Sequence, residues 1–307
     1  MHPVLSIPEP ECSTGNLHLR AVERVIEVLR KPSDQPLTLE KMSRIALISP
    51  YHFVRVFHRL TGLPPVRYQW ITRLAYAKRL LVETSLSVIE VCFEAGYNSL
   101  GSFTRRFTSL VGMPPHHFRL STQDFDHDRF SRLMLAVREC EPLPCSGGIT
   151  GDVKAPPGFD GLIFVGFFPD RQDRSRPSAC CALAGPGRFQ VSSIPDGRYR
   201  MEVTAVPRFA RAGEYFVHDN ALRASPHAGP VTINSGRIVS GDTSLTLRPP
   251  RLLDPPILLA LVLLLESKLQ SLHVRTHAVE PIAVRARMDG LHAVSSTANR
   301  IRAASGD

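Results

Sequence analysis

The side chains with most scope for chemistry in this chain of 307 residues are its 6 cysteines, its 12 histidines and its 37 lysines and arginines. The thiols stand at Cys12, Cys92, Cys140, Cys145, Cys180 and Cys181, and no two are spaced as CxxC. Adjacent Cys180 and Cys181 on a strand would face opposite ways, so reduced thiols are expected rather than a disulfide or metal framework. Ser192, His218, Asp219, His227 and Asp242 supply the residue types of a hydrolase, but neither a GxSxG elbow nor an HExxH pair accompanies them. The glycine-rich run Gly185–Phe189 has no helix behind it to make a phosphate loop. His52, His58, His116 and His117 belong to no Cys/His/Asp set at ligand spacing, which predicts solvated or phosphate-adjacent imidazoles, with no metal and no cofactor. Catalysis is therefore not expected. Cys12, Cys140 and Cys145 keep one competing class in view, a reactive-thiol enzyme fused to a binding domain. What remains is the chemistry of arginine, a planar permanent cation that grips phosphates or the O6 and N7 atoms of guanine.

Two of the arginines, Arg55 and Arg105, sit in two approximate copies of one small helical unit. The copies run from Thr38 to Tyr68 and from Ser87 to Phe118. Phe53, Phe57, Gly62, Pro64 and Pro65 of the first match Phe103, Phe107, Gly112, Pro114 and Pro115 of the second. In the first copy a short helix over Leu37–Ala46, N-capped by Thr38, precedes a helix that Ser49 caps and Pro50 opens, ending near Thr61 before Gly62. Small Ala46 lets the two helices cross closely, which describes a helix-turn-helix. The second helix turns Phe53, Val56, Phe57 and Leu60 inward and Tyr51, His52, Val54, Arg55 and His58 outward. In the second copy Ser85 or Ser87 caps the first helix, whose Val88, Ile89, Val91, Cys92 and Ala95 pack, and Gly96 makes the turn. Ser99 caps the following helix to Val111. Its Phe103, Phe107 and Leu110 face inward, while Ser99, Leu100, Gly101, Ser102, Thr104, Arg105 and Arg106 line the other side. Pro64 and Pro65 start a long connecting helix to about Val82, and Pro114 and Pro115 a last turn to about Leu120. Upstream, Val22, Val25, Ile26 and Leu29 mark a helix that Pro32 stops.

Gly96–Arg119, reading GYNSLGSFTRRFTSLVGMPPHHFR, resembles the C-terminal signature of the AraC/XylS family of transcription regulators, and Ser49–Gly62 resembles that family's first recognition helix. The resemblance covers about a third of the chain. It implies two helix-turn-helix units on a rigid connecting helix, placing two recognition helices in successive major grooves of double-stranded DNA. Carried over by position, the base-reading candidates are Tyr51, Val54 and Arg55 in the first helix and Leu100, Gly101, Ser102 and Arg105 in the second. Ser49, His52, Thr104 and Arg106 are the phosphate candidates. Val54 and Leu100 can touch only thymine methyls and Gly101 has no side chain, so shape readout is expected to outweigh direct hydrogen bonding. The resemblance further implies contact with RNA polymerase at promoters and often a sensed small molecule, although the family usually places its sensor first.

Charge agrees with a polyanionic partner. The formal net charge is +9, and residues 1–121 hold most of it, with 15 Lys/Arg against 9 Asp/Glu. The longest apolar run, Ile257–Leu265, is half of a membrane span, and no basic segment followed by an apolar one opens the chain, so a cytoplasmic protein without membrane contact is expected.

The fold class expected is multidomain α + β: an all-α double helix-turn-helix DNA-binding domain, a small antiparallel β-sandwich, and a C-terminal apolar helix. The boundaries read as a flexible tail at 1–16, the helical domain at 17–121, a linker at 122–158 in which Asp128–Arg138 can form a helix, the sandwich at 159–250, the apolar helix at 251–274 and a loosely ordered tail at 275–307. Strands are predicted at GLIFVGFF, SACCAL, RFQV, GRYRMEVTAV, EYFV, VTI and SLTL between Gly/Pro turns. Pro195-Asp196-Gly197 reads as a tight turn, after which Tyr199, Met201, Val203 and Ala205 alternate with Arg198, Arg200, Glu202 and Thr204 as in a half-buried strand. This pattern resembles carboxypeptidase regulatory-like (transthyretin-like) domains, which are mostly non-catalytic. Two roles stay open for this half, a small-molecule effector sensor or an oligomerisation module. Ile257–Leu265, apolar all round, must be buried, within the chain or in a homodimer.

Overall fold

The computed structural model describes residues 14–31, 35–140, 148–170, 177–192, 194–211, 213–224 and 229–273. The predicted terminal tails at 1–13 and 275–307 lie outside the described residues. The chain divides into two compact units, one of residues 1–124, 216–219 and 250–260, the other of 125–215, 220–249 and 261 onward.

Among the described residues, the first unit contains the helices α1 (Thr14–Leu29), α2 (Leu39–Ala46), α3 (Pro50–Thr61), α4 (Pro65–Glu83), α5 (Val88–Glu94), α6 (Leu100–Val111) and α7 (Pro115–Gln123). Thr14–Asn16, read from sequence as tail, already belong to α1. Val22, Val25 and Ile26 of α1 are fully buried with Phe53, Val56 and Phe57 of α3. Each such side chain contributes about 1.5–3 kcal/mol. The internal repeat appears as two matching aromatic ladders. Phe53, Phe57 and Tyr68 stand with ring centres 5.4 Å apart at both steps. Phe103, Phe107 and Phe118 follow at 5.6 and 5.7 Å. Each contact adds about 0.5–1.5 kcal/mol beyond its area.

Residues 250–260 complete this unit as an irregular strap. Tyr68 donates to the carbonyls of Leu252 and Asp254 at 3.4 and 3.2 Å, and Arg30 to the same two at 2.9 and 3.3 Å. The Ala260 amide donates to the Val111 carbonyl. Fully buried Lys78 donates to Ile257 and Leu258 at 3.3 and 2.8 Å. This corrects the expectation of one helix from Ile257. Lys78 takes the carbonyls that a helix would use, and the helix starts at Leu261.

The second unit opens with α8 (His127–Glu139), capped by Asp126, and continues with β1 (Ile149–Lys154), β2 (Gly161–Pro169), β3 (Ala179–Leu183), β4 (Gly187–Val191) and β5 (Gly197–Pro207). After the four-residue α9 (Glu214–Val217), whose Phe216 and Val217 belong to the first unit, come β6 (Leu222–Ala224), β7 (Val231–Asn234), β8 (Arg237–Ser240), β9 (Ser244–Arg248) and α10 (Leu261–His273). The helix expected at Asp128–Arg138 is α8, the rest of the stretch expected as linker contains β1, and EYFV is helical rather than extended. Tyr215 of that segment stacks on Phe130 with ring centres 4.4 Å apart and donates to the Arg208 carbonyl at 2.6 Å, contacts that anchor it outside the sheet.

Where two facing layers were expected, the strands form one hydrogen-bonded path, β3-β2-β5-β6-β9-β1-β4, with β7 on β5 and β8 on β7. All pairings are antiparallel except β1 with β9. The terminal strands β3 and β4 approach each other, so the sheet rolls nearly into a barrel. A single apolar core fills it, including Phe167, Phe189, Tyr199, Met201, Val203 and Leu245. On β5 the predicted alternation holds, with Tyr199, Met201, Val203 and Ala205 buried. Val262, Leu263, Leu265 and Leu269 of the apolar helix are buried. Arg129 of α8 grips Glu266 of α10 with two bonds of 2.5 and 2.8 Å. No described helix is long and apolar enough to cross a membrane.

Candidate nucleic-acid interface

Local rules position both outward-facing helices. Thr38 caps α2 by accepting from the Lys41 amide, and Ser87 and Glu90 form a full capping box on α5, which decides between the two candidate serines. Ser99 caps α6 by accepting from the Ser102 amide at 3.4 Å. Ser49 occupies the N-cap of α3 without a side-chain capping bond, and Pro50 alone sets that start. Gly62 and Gly112 stop the two helices in left-handed conformations, with φ of 73° and 98°. The turn within each helix pair also needs a left-handed residue, Leu47 in the first copy and Gly96 in the second.

With Phe53, Phe57, Phe103 and Phe107 wholly buried, helical periodicity turns the candidate readers outward. Tyr51 is 77% exposed. Ser49, His52 and Arg55 are exposed and Val54 is half-buried. On α6, Leu100, Gly101, Ser102, Arg105 and Arg106 are exposed and Thr104 is half-buried. A Cβ added at Gly101 would meet nothing nearer than the Ser99 hydroxyl at 3.9 Å, so the first turn of α6 presents bare backbone. Ser102 spends its hydroxyl proton on the Ser99 carbonyl at 2.9 Å and keeps its lone pairs for a donor. None of α3, α4, α6 and α7 carries an acidic residue in its first turn. Their N-terminal amides and dipoles therefore suit phosphate.

Two candidates have partners that the sequence does not reveal. The Arg106 guanidinium lies over the Trp70 ring, 4.4 Å from its centre, which fixes it against α4. His52 meets His18 of α1, with their Nε2 atoms 3.3 Å apart. Trp70 and His18 are 36 and 34 residues away from these partners, beyond any local pattern. Tyr97, beneath α6, has its phenol pushed up to about 12 by burial despite nearby Arg106 and Arg73. Arg73 donates to the Gly96 carbonyl at 2.8 Å and holds the second turn in shape. Among the described residues, no group of three or more His, Cys, Asp and Glu side chains could hold a metal ion.

Two helix pairs, each with a left-handed turn, a buried aromatic ladder and an outward polar face, define a tandem helix-turn-helix domain. Residues 42–121 match the model of a helix-turn-helix domain family. The chain is 37% identical over 83 residues to an uncharacterised HTH-type transcriptional regulator, YobQ, of Bacillus subtilis, covering 27% of this chain and 34% of the relative. It is 35% identical over 101 residues to the HTH-type transcriptional regulator GlxA of Rhizobium meliloti, covering 32% and 31%. The chain thus spans about a third of the length of the curated relatives it matches. A solved DNA-binding domain of AdpA, in complex with a target DNA, is 27% identical, with 34% of this chain and 90% of that chain covered and a TM-score of 0.30. The family match ends at residue 121, ahead of the second unit.

Proposed function

We propose that the protein is a sequence-specific DNA-binding transcription regulator of the AraC type that inserts α3 and α6 into successive major grooves. The observation that carries this reading is the pair of outward faces bearing Arg55 and Arg105 within the matched segment. The connecting helix α4 has 19 residues, about 28 Å of rise, close to the roughly 34 Å turn that separates successive major-groove faces. Tyr51, Val54, Arg55, Leu100, Gly101, Ser102 and Arg105 read base edges and groove shape, while Ser49, His52, Thr104 and Arg106 border the phosphates. The protein acts in the cytoplasm and contacts RNA polymerase at promoters. Its second unit is non-catalytic and supplies control, by an effector or by association of protomers. The likeness of the Pro195–Ala205 turn and strand to carboxypeptidase regulatory-like domains supports that role. The Cys140 thiol fits it too, since burial, with Glu139 beside it, pushes it up and away from a reactive thiolate.

Selection of duplexes from a random pool by the full chain, at stated salt, tests the proposal. The expected product is one bipartite motif with elements about one helical turn apart. Retention of all sequences alike would instead establish a constitutive or architectural binder.

A further inference from the structure

On the reading of α3 and α6 as recognition helices, we propose that residues 250–260 staple the two helix-turn-helix copies together and so set the spacing of DNA half-sites that the protein accepts. The first half of the strap is seated on the first copy. Leu252 and Leu253 pack against its core, and Arg30 and Tyr68 both hold the carbonyls of Leu252 and Asp254. A turn presents those carbonyls. The Asp254 amide donates to the Arg251 carbonyl at 3.0 Å, and the Asp254 carboxylate accepts from the Arg251 amide at 2.8 Å. The second half is seated on the second copy. The Ala260 amide donates to the carbonyl of Val111, the last residue of α6, at 3.0 Å. Lys78, which holds Ile257 and Leu258, lies 5.7 Å from the ring centre of Phe118 in the second aromatic ladder. Leu258 and Ala260 are buried.

Pro255 and Pro256 stand between the two sets of anchors. Each ring fixes its φ near about −65°, so the link is stiff. From Asp254 to Leu258 the chain reaches at most about 14 Å. Along α4, Tyr68 and Lys78 are separated by about 15 Å of helical rise. The strap therefore spans its anchors with little slack. A single connecting helix can curve, and a stiff segment fastened beside it to both copies opposes that bending. The distance from α3 to α6 is then set by α4 and the strap together.

The test compares the full chain with its Pro255→Gly/Pro256→Gly variant in two ways. One is the distance distribution between spin labels on non-canonical residues at Arg59 and Ser109, exposed and equivalent positions of α3 and α6. The other is affinity for duplexes whose two half-sites, taken from the selected motif, are moved by one base pair. Such a move shifts one half-site by about 3.4 Å and turns it by about 35°. The parent is expected to show one narrow distance and to lose about tenfold in affinity, the order of one mismatched base pair. The variant is expected to show a broader distribution and to lose about threefold or less. An unchanged distance distribution, or an unchanged spacing preference, overturns the proposal. Should the variant fail to fold, Arg30→Ala/Tyr68→Phe, which keeps the proline pair and removes the first anchors, is read in the same two ways. A parent that selects no bipartite site refutes the reading of α3 and α6 instead, and the label distances then decide the staple alone.

Discussion

Leu47 and Gly96 hold the same place in the two helix-turn-helix copies, each in the left-handed region with φ of 59° and 74°. The conformation is nearly free for glycine and costs about 1–2 kcal/mol for leucine. Leu47 is 84% exposed and has little packing to lose. Leu47→Gly is therefore expected to raise stability, by up to about 1 kcal/mol after the greater freedom of the unfolded chain is subtracted. Gly96→Ala is expected to lower it by at least that much, because its Cβ would come within 2.5 Å of the Arg73 guanidinium. Thermal denaturation of the two variants checks both signs. At this scale the sequence is legible where chemistry is local. Thr38, Ser87, Ser99 and the buried phenylalanines follow from spacing and capping rules. A leucine carrying a glycine's turn does not, because no turn rule selects it. The stacking of Arg106 on Trp70 and the meeting of His18 with His52 depend on how helices cross, which periodicity does not encode.

The strap over residues 250–260 and its buried cation belong to the scale of elements. Burial pushes the Lys78 ammonium from its ordinary 10.5 down to about 7, with Asp219 pulling it back up. Between about pH 7 and 10.5 the unfolded chain holds a proton here that the folded chain does not, so folding stability rises with pH across that window and is lowest below it. Lys78→Met removes this titration. The stability difference between parent and variant, read from urea unfolding at pH 7 and pH 9, is expected to shift in favour of the parent at the higher pH. A difference that does not change with pH contradicts the account. Elements were readable where a period and a stop signal coincide, as for α1 to α7 and β5. They were misread where other forces decide. The glycines around β1 suggested a linker, yet Ile149 and Val153 are buried against the core. EYFV has strand composition, yet its tyrosine is held by α8. The apolar run after Pro256 suggested an immediate helix, yet Lys78 claims its first carbonyls.

For the whole molecule, the strap changes what a minimal DNA-binding fragment should be. A fragment ending near residue 124 retains every candidate reader but lacks the acceptors of Arg30, Tyr68 and Lys78. It is expected to unfold at a lower temperature than the full chain and to recover stability when residues 250–260 are supplied as a peptide. An unchanged midpoint would show that the strap contributes nothing. The double helix-turn-helix architecture was legible because one unit occurs twice. The rolled sheet was not, since alternation along a strand shows that one face is buried and leaves open which strands are neighbours.

The central claim is that α3 and α6 each read one half of a bipartite site through Arg55 and Arg105. The most direct measurement is selection of duplexes by the parent, Arg55→Ala and Arg105→Ala proteins at one salt concentration. The expected result is that each variant loses about 1–3 kcal/mol of specific affinity and relaxes sequence preference in one half only, a different half for each. Unchanged preference in both variants, or relaxation spread evenly over both halves, would contradict it.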